Sequence, residues 1–233
     1  MPTLRSARER ARSEVTAEIL ATARQHLALH GAAGLSLRAV ARDLGLVSSA
    51  VYRYFENRDA LLTALIVEAY DALGEATEAA ARSSAGRAPR QRWVTAAETI
   101  RGWAVANPHQ YALLYGSPVP GYTAPDDTVV PGTRVSLALV GIVRDAQRDG
   151  LLSARAGGRA DPPSPVVAGQ LEALAALIAP GLPAGFMLAA LVAWTQLFGL
   201  VSFEVFGQTR GVVDDHAAFF RDAVATMAAD IGL

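Results

Sequence analysis

The chain has 233 residues, no cysteine and a net charge of −1. This length can bury a core without cross-links, and the lack of cysteine excludes disulfide frameworks, thiolate metal sites and cysteine nucleophiles. Residues 1–65 carry nine arginines against six acidic residues (net +3), whereas residues 66–233 carry 12 against 16 (net −4). A nucleic-acid partner would therefore bind the N-terminal end. We expect a cytoplasmic protein, because the arginine-rich residues 1–20 lack the apolar core of a secretory signal.

The spacing of apolar residues predicts an all-α fold. These residues recur at helical intervals, and no hairpin turn of the Asn-Gly type separates alternating runs. After a basic arm over residues 1–12, a first helix is expected from Ser13, as N-cap, to His30. Ser36 is the predicted cap of a short helix ending at Leu44. The further predicted helices, in chain order, cover residues 49–54, 57–81, 90–106, 108–115, 132–149, 165–179, 184–207 and 214–231.

Residues 36–55 have the pattern of two short helices crossing over one small core. Apolar side chains form an inner face on each helix, and Gly45 permits the positive φ of a sharp turn between them. The outward face of the second helix carries hydroxyl and guanidinium groups, which bind phosphate oxygens and base edges. No acidic residue occurs from Leu44 to Phe55. A helical hairpin inside any larger bundle would show the same apolar spacing, but an acid-free polar face favours DNA.

Residues 13–65 resemble the TetR/AcrR family of bacterial regulators. The resemblance rests on the capped helix Ser36–Leu44, the turn at Gly45, Tyr52-Arg-Tyr-Phe55, and Asn57-Arg58-Asp59 followed by a leucine pair. It implies a three-helix, helix-turn-helix DNA-binding domain over residues 13–72 and a larger C-terminal helical bundle over residues 73–233 for ligand binding and dimerisation. The residues implied in DNA contact are Ser36, Arg38, Ser48, Ser49, Tyr52, Arg53, Tyr54 and Arg58.

One position departs from the family pattern at the start of the second short helix. The family usually has Ser or Thr as the cap there, and this chain has Val47. Because valine cannot accept a backbone N–H bond, Ser48 is expected to take over as the cap. Ser36 is expected both to cap its own helix and to contact phosphate.

The segment from Trp103 to Tyr122 concentrates aromatic residues, prolines and one histidine. It is similar to the effector domain of a TetR subgroup described by a Trp-His-Gly motif. Convergent aromatic and polar groups at a helix break suit a ligand pocket, and the residues predicted to line it are Trp103, His109, Tyr111 and Tyr115. Core packing is the alternative role for each of them. An effector for this pocket would be apolar or aromatic.

No catalytic or metal-binding pattern is found in the sequence. The four histidines have no metal-ligand spacing with a third ligand and do not flank a glycine-framed serine. We therefore expect no enzyme activity, no cofactor and no metal.

Residues 184–203 carry no charge and are long enough to span a bilayer. Polar side chains within the segment and the lack of flanking basic clusters argue against a membrane span. A helix that is apolar on all sides also suits burial between its own bundle and a partner subunit. We expect a homodimer with a four-helix interface built from this segment and the last helix, through Ala190, Trp194, Phe198, Phe220, Val224 and Met227.

Together these patterns predict a sequence-specific transcriptional regulator that binds double-stranded operator DNA. By the family resemblance it is a repressor, released from a palindromic operator by a small molecule. Two alternatives stay open at this point: a nonspecific, nucleoid-type DNA binder, and a ligand-binding protein without a DNA function.

Overall fold

The computed structural model describes residues 4–153 and 163–233, with side chains from residue 8 onward. Within these ranges all regular structure is helical, which confirms the predicted fold class. Ten α-helices are described: α1 (Leu4–His30), α2 (Leu37–Asp43), α3 (Ser48–Tyr52), α4 (Arg58–Ser83), α5 (Pro89–Ala106), α6 (Pro108–Tyr115), α7 (Val129–Arg148), α8 (Pro165–Ile178), α9 (Ala184–Val205) and α10 (His216–Ile231).

The first helix begins much earlier than predicted. It starts at Leu4, and Ser13 lies inside it instead of capping it. The segment between these residues contains only arginine, alanine, glutamate and serine, without glycine or proline, and most of these residue types favour helix. The predicted basic arm is therefore helical from residue 4, and residues 1–3 lie outside the described part of the chain.

The described residues form two compact units. The N-terminal unit runs up to Tyr70 and includes Asn107–Pro131, and the C-terminal unit comprises Asp71–Ala106 and the residues from Gly132 onward. Helix α4 contributes its first half to one unit and its second half to the other. The sequence order predicts a boundary near residue 72, whereas packing places α6 and the following loop with the N-terminal helices.

The core of the N-terminal unit explains this assignment of α6. Buried side chains of α1 to α4 form one cluster, and four residues from α6 and its following loop pack against it: Leu113, Leu114, Val119 and Tyr122. The Tyr122 hydroxyl lies 2.9 Å from that of Thr63 on α4. The loop is therefore held to the N-terminal unit by both apolar contact and a hydrogen bond.

The C-terminal unit is built around α9. This helix packs against α5, α8 and α10, and α5 also packs against α10. Arg101 of α5 donates from Nε and Nη2 to the two carboxylate oxygens of Glu204 on α9, at 2.7 and 2.6 Å. The same guanidinium lies 5.7 Å from the centre of the Phe220 ring on α10. One arginine thus joins three helices of the unit.

Helix α9 is the single described helix long and apolar enough to cross a membrane by length and composition. A core helix of a soluble protein passes the same test. Because α9 contacts three neighbouring helices, part of its apolar surface packs inside the bundle.

Candidate functional site

The turn between α2 and α3 has the geometry of a tight helix-turn-helix. Gly45 has a φ of 67°, a backbone region that favours glycine. Its N–H donates to the Arg42 carbonyl at 3.0 Å, and the Leu46 N–H donates to the Ala41 carbonyl at 2.8 Å. Val51 of α3 is fully buried in the N-terminal core. The turn therefore fixes α3 against α2 and leaves the remaining sides of α3 at the surface.

The start of α3 differs from the sequence expectation. Val47 occupies the cap position with an extended backbone and no side-chain cap bond, and the helix begins at Ser48. Ser48 therefore does not take over as the cap. Ser36 stands at the cap position of α2, but its side chain makes no cap hydrogen bond either. Because neither hydroxyl is used in capping, both remain available for an external partner.

Four of the predicted DNA-contacting residues have exposed side chains without an internal partner: Arg38, Ser49, Tyr52 and Arg53. Tyr52 is 43% exposed, a large value for an aromatic ring. Within the described residues, none of the four makes a side-chain hydrogen bond or ion pair. Ser49, Tyr52 and Arg53 lie in the acid-free segment from Leu44 to Phe55, and Arg38 lies on α2, which ends at Asp43. Free hydroxyl and guanidinium groups are the groups that bind phosphate oxygens and base edges.

Two other predicted contacts are partly engaged within the N-terminal unit. Tyr54 is half-buried, and the Arg12 guanidinium lies 5.2 Å from the centre of its ring. Arg58 donates from Nη2 to the Ala32 carbonyl at 2.8 Å, with 30% of its side chain exposed. Arg58 therefore fixes the start of α4 to the turn after α1 and has only part of its guanidinium left for a phosphate.

Sequence reasoning missed the contact that joins α1 to α2. His26 is buried, and its Nε2 lies 2.7 Å from an Asp43 carboxylate oxygen. The neighbouring Arg42 has 77% of its side chain exposed, beside the turn to α3. The sequence feature that could have indicated this contact is the acidic Asp43 at the end of α2 together with a histidine, His26, on the preceding helix. This contact positions α2. Arg42 is paired with the same carboxylate, since its Nε lies 3.6 Å from Asp43 Oδ1, so both charges lie beside the turn.

The four residues predicted to line an effector pocket lie in different places. Trp103 belongs to the C-terminal unit, whereas His109, Tyr111 and Tyr115 belong to the N-terminal unit. His109 is exposed and Tyr111 is fully buried. Tyr115 contacts Tyr70 edge-on at 6.3 Å between ring centres, and burial, followed by the neighbouring tyrosines, raises the pKa of its hydroxyl. The tyrosines here pack as core, the alternative stated from the sequence.

The C-terminal unit contains an apolar cavity of about 230 Å³. Its walls come from α5, α7, α8 and α9, and none of the four predicted pocket residues is among them. The lining residues are Trp93, Thr133, Ser136, Leu137, Leu139, Val140, Leu174, Ile178, Met187, Ala190, Leu191 and Trp194. The buried indole N–H groups of Trp93 and Trp194 have no acceptor within the described part of the chain. The cavity suits a small apolar ligand.

The residues predicted for the dimer interface are turned into their own protomer. Five of them are 8% exposed or less: Ala190, Phe198, Phe220, Val224 and Met227. The sixth, Trp194, lines the cavity, as does Ala190. Side chains already covered within one protomer have little surface left for a partner.

A shallow groove between α9 and α10 lies on a different face of the same helices, and Met227 is the predicted interface residue that also borders it. Its lining residues are Gln196, Gly199, Leu200, Phe203, Ala223, Thr226, Met227 and Asp230. Phe203 is 55% exposed, and Val192, on α9, is 44% exposed. This outer face of α9 and α10 is an apolar surface that the protomer leaves uncovered.

Arg134 of α7 clamps the second half of α4. It donates from Nε and Nη2 to the two oxygens of Glu78, each at 2.9 Å, and from Nη1 to Asp71 Oδ1 at 2.7 Å. The hydrogen bond from Arg134 holds the pKa of Glu78 below its ordinary value. Its side chain crosses α4 at Gly74, where an added Cβ would lie 2.8 Å from the Arg134 Cβ. Arg134 is thus held against α4 by two carboxylates, and Gly74 leaves the space that its side chain occupies.

Comparisons with known proteins agree with this architecture. Residues 19–65 match the model of bacterial regulatory proteins of the tetR family, and residues 93–227 match a tetracyclin repressor-like C-terminal domain. The HTH-type transcriptional regulator Rv1816 of Mycobacterium tuberculosis is 41% identical over 204 residues, covering 86% of this chain and 85% of that protein.

Solved structures show the same fold. The crystal structure of the regulatory protein SCO4313 has a TM-score of 0.76 and 32% identity, covering 94% of this chain and 97% of that one. A Rhodococcus sp. RHA1 protein of unknown function has a TM-score of 0.65 and 26% identity, covering 91% of both chains. The family matches cover the helix-turn-helix and more than half of the chain. The chain belongs to the TetR family of transcriptional regulators, which are DNA-binding proteins and not enzymes.

Proposed function

We propose that this protein is a cytoplasmic, homodimeric repressor that binds a palindromic operator and is released when a small molecule occupies the C-terminal cavity. The observation that carries the proposal is the polar surface of the helix-turn-helix. Tyr52 and Arg53 present exposed polar groups with no partner within the described residues, on a segment without acids. A surface of this kind can bind an anionic, hydrogen-bonding partner such as DNA.

Dimerisation would place two copies of α3 in successive major grooves, with centres about 34 Å apart. The outer face of α9 and α10 is the surface we assign to this contact. It is apolar at Val192 and Phe203, and Asp230 is the one charged side chain among the described residues that line its groove. A two-fold interface pairs the same patch on both subunits, so the apolar side chains of α9 would meet at the contact.

The Arg134 clamp supplies a physical connection between the cavity and α4. Thr133 and Ser136 of α7 line the cavity, and Arg134 stands between them in sequence with its guanidinium on α4. A ligand that displaces α7 would pull on α4, whose first residues follow the helix-turn-helix. To change operator occupancy from about 99% to 1%, the ligand must favour the released state by about 5.5 kcal/mol.

Fluorescence anisotropy tests the DNA-binding part. Labelled duplex from the intergenic region beside the protein's own gene is titrated with protein at two salt concentrations, with excess random duplex. We expect saturable binding that survives the competitor and weakens at high salt. The variant Tyr52→Ala/Arg53→Ala should lose specific binding while remaining dimeric. Arg87→Ala, an exposed arginine in the C-terminal unit, is the control for loss of charge.

The outcomes separate the proposal from its alternatives. Binding erased by random duplex would indicate a nonspecific, nucleoid-type protein, and no binding at low salt would indicate a ligand-binding protein without a DNA function. Wild-type affinity in the folded double variant would refute the assignment of α3 to DNA contact.

A further inference from the structure

The side chains that line the cavity restrict the chemical class of ligand that can bind there. This inference rests on the proposed function, in which the cavity is the effector site. We infer that the cavity binds a neutral molecule of about ten non-hydrogen atoms that is mostly hydrocarbon. Carboxylates and ammonium ions of the same size are excluded. Two observations carry this inference.

The first observation is size. The cavity volume is about 230 Å³. A dry protein cavity of about 150 Å³ binds benzene, which has six non-hydrogen atoms. In proportion, this cavity holds about nine or ten such atoms. A medium-length alkyl chain or a bicyclic ring system has this size, whereas a long acyl chain or a nucleotide cofactor does not.

The second observation is the absence of charge. The wall is almost entirely carbon, and the only polar side chains among the described lining residues, apart from the two indoles, are the hydroxyls of Thr133 and Ser136. No acidic or basic side chain in the described part of the chain lines the cavity. A buried ion without a partner of opposite charge loses several kcal/mol of hydration that nothing restores. An ionised ligand is therefore rejected.

The two tryptophans that border the cavity present ring carbon to it. Their indole N–H groups are buried without an acceptor in the described residues, so these nitrogens do not form part of the cavity surface.

Two probes with ten non-hydrogen atoms each separate the neutral ligand from the charged one. 2-Nonanone carries one ketone oxygen, and octanoate is fully ionised at pH 7.5. Binding to the full-length protein, without DNA, is measured by isothermal titration calorimetry and by fluorescence of the tryptophans, two of three of which border the cavity. We expect 2-nonanone to bind at least about a hundredfold more tightly than octanoate.

Variants locate the site. Ala190→Leu fills the cavity and should abolish 2-nonanone binding, whereas Ala176→Leu, an exposed position on α8, should leave it unchanged. Thermal unfolding of each variant shows whether it is folded.

Each outcome bears on the inference separately from the proposed function. Equal or tighter binding of octanoate, no binding of 2-nonanone up to its solubility limit, or full binding by Ala190→Leu would overturn the ligand class. Binding of 2-nonanone as expected, without any effect on the anisotropy titration with operator DNA, would support the ligand class and contradict the release mechanism.

Discussion

Replacing Gly74 by alanine tests how tightly Arg134 is seated on α4. At an exposed helix position without close neighbours, replacing glycine by alanine raises the free energy of unfolding by about 0.8–1.0 kcal/mol, because alanine loses less backbone entropy on folding. At Gly74 the new methyl would lie 2.8 Å from the Cβ of Arg134, and 3.0 Å from its Nε. The Cβ of Arg134 is attached directly to the backbone of α7, so it cannot move aside as the guanidinium can. The two helices must separate locally.

The magnitude follows from two opposing effects. Overpacking by one methyl in a well-packed site costs about 1–3 kcal/mol, which exceeds the gain in helix propensity. We expect Gly74→Ala to be about 1 kcal/mol less stable than wild type. The matched control is Gly102→Ala on α5, where the position is exposed and an added Cβ meets nothing within 4 Å. That variant should be about 1 kcal/mol more stable.

Tryptophan fluorescence during chemical denaturation is the assay. All three tryptophans, Trp93, Trp103 and Trp194, lie in the C-terminal unit, so their signal reports the unit that contains the substitution. In thermal unfolding, a difference of about 2 kcal/mol between the variants corresponds to about 4–8 °C for a chain of this size. Equal stability of the two variants would refute the seating of Arg134 against α4.

Three further predictions concern other contacts. Tyr122→Phe removes the hydrogen bond from the loop to α4 and should destabilise the N-terminal unit by about 1 kcal/mol in denaturation followed by circular dichroism; an unchanged midpoint would contradict that bond. Glu78→Gln tests the lowered pKa of Glu78. Because the folded pKa lies below the unfolded one, the contribution from pairing with Arg134 is present at neutral pH and is lost as the pH falls from about 5 to 3. Wild type should therefore lose more stability than Glu78→Gln over this range, and parallel pH profiles would argue against the pairing. Phe203→Glu should give monomers in analytical ultracentrifugation, whereas Leu177→Glu, 81% exposed on α8, should stay dimeric; a dimeric Phe203→Glu would remove the assigned interface.

The helix-turn-helix was predictable because its signals are local. Gly45 marks the turn, apolar spacing marks the inner face, and the absence of acids around Tyr52 and Arg53 marks the outer one. Local signals were less successful at helix ends. Ser13 has the residue type of a cap, but it lies within α1 because nothing before it interrupts the helix. A residue of the cap type can begin a helix but does not have to. Whether the helix extends past it depends on the helix propensity of the flanking residues.

The sequence by itself determined the helical class, the order of the helices and the position of the DNA-binding motif, since periodicity, turn residues and charge act over a few neighbouring positions. Only the tertiary structure decided which side of α9 faces inward. A helix that is apolar on every side has no preferred direction until its neighbours are in place, and here packing turned Trp194 and Phe198 toward the protomer and left Phe203 outside. In the same way, contacts distant in sequence placed α6 with the N-terminal unit and assembled the cavity from four helices. Such contacts depend on which helix surfaces pack together, and no single segment of the sequence specifies this.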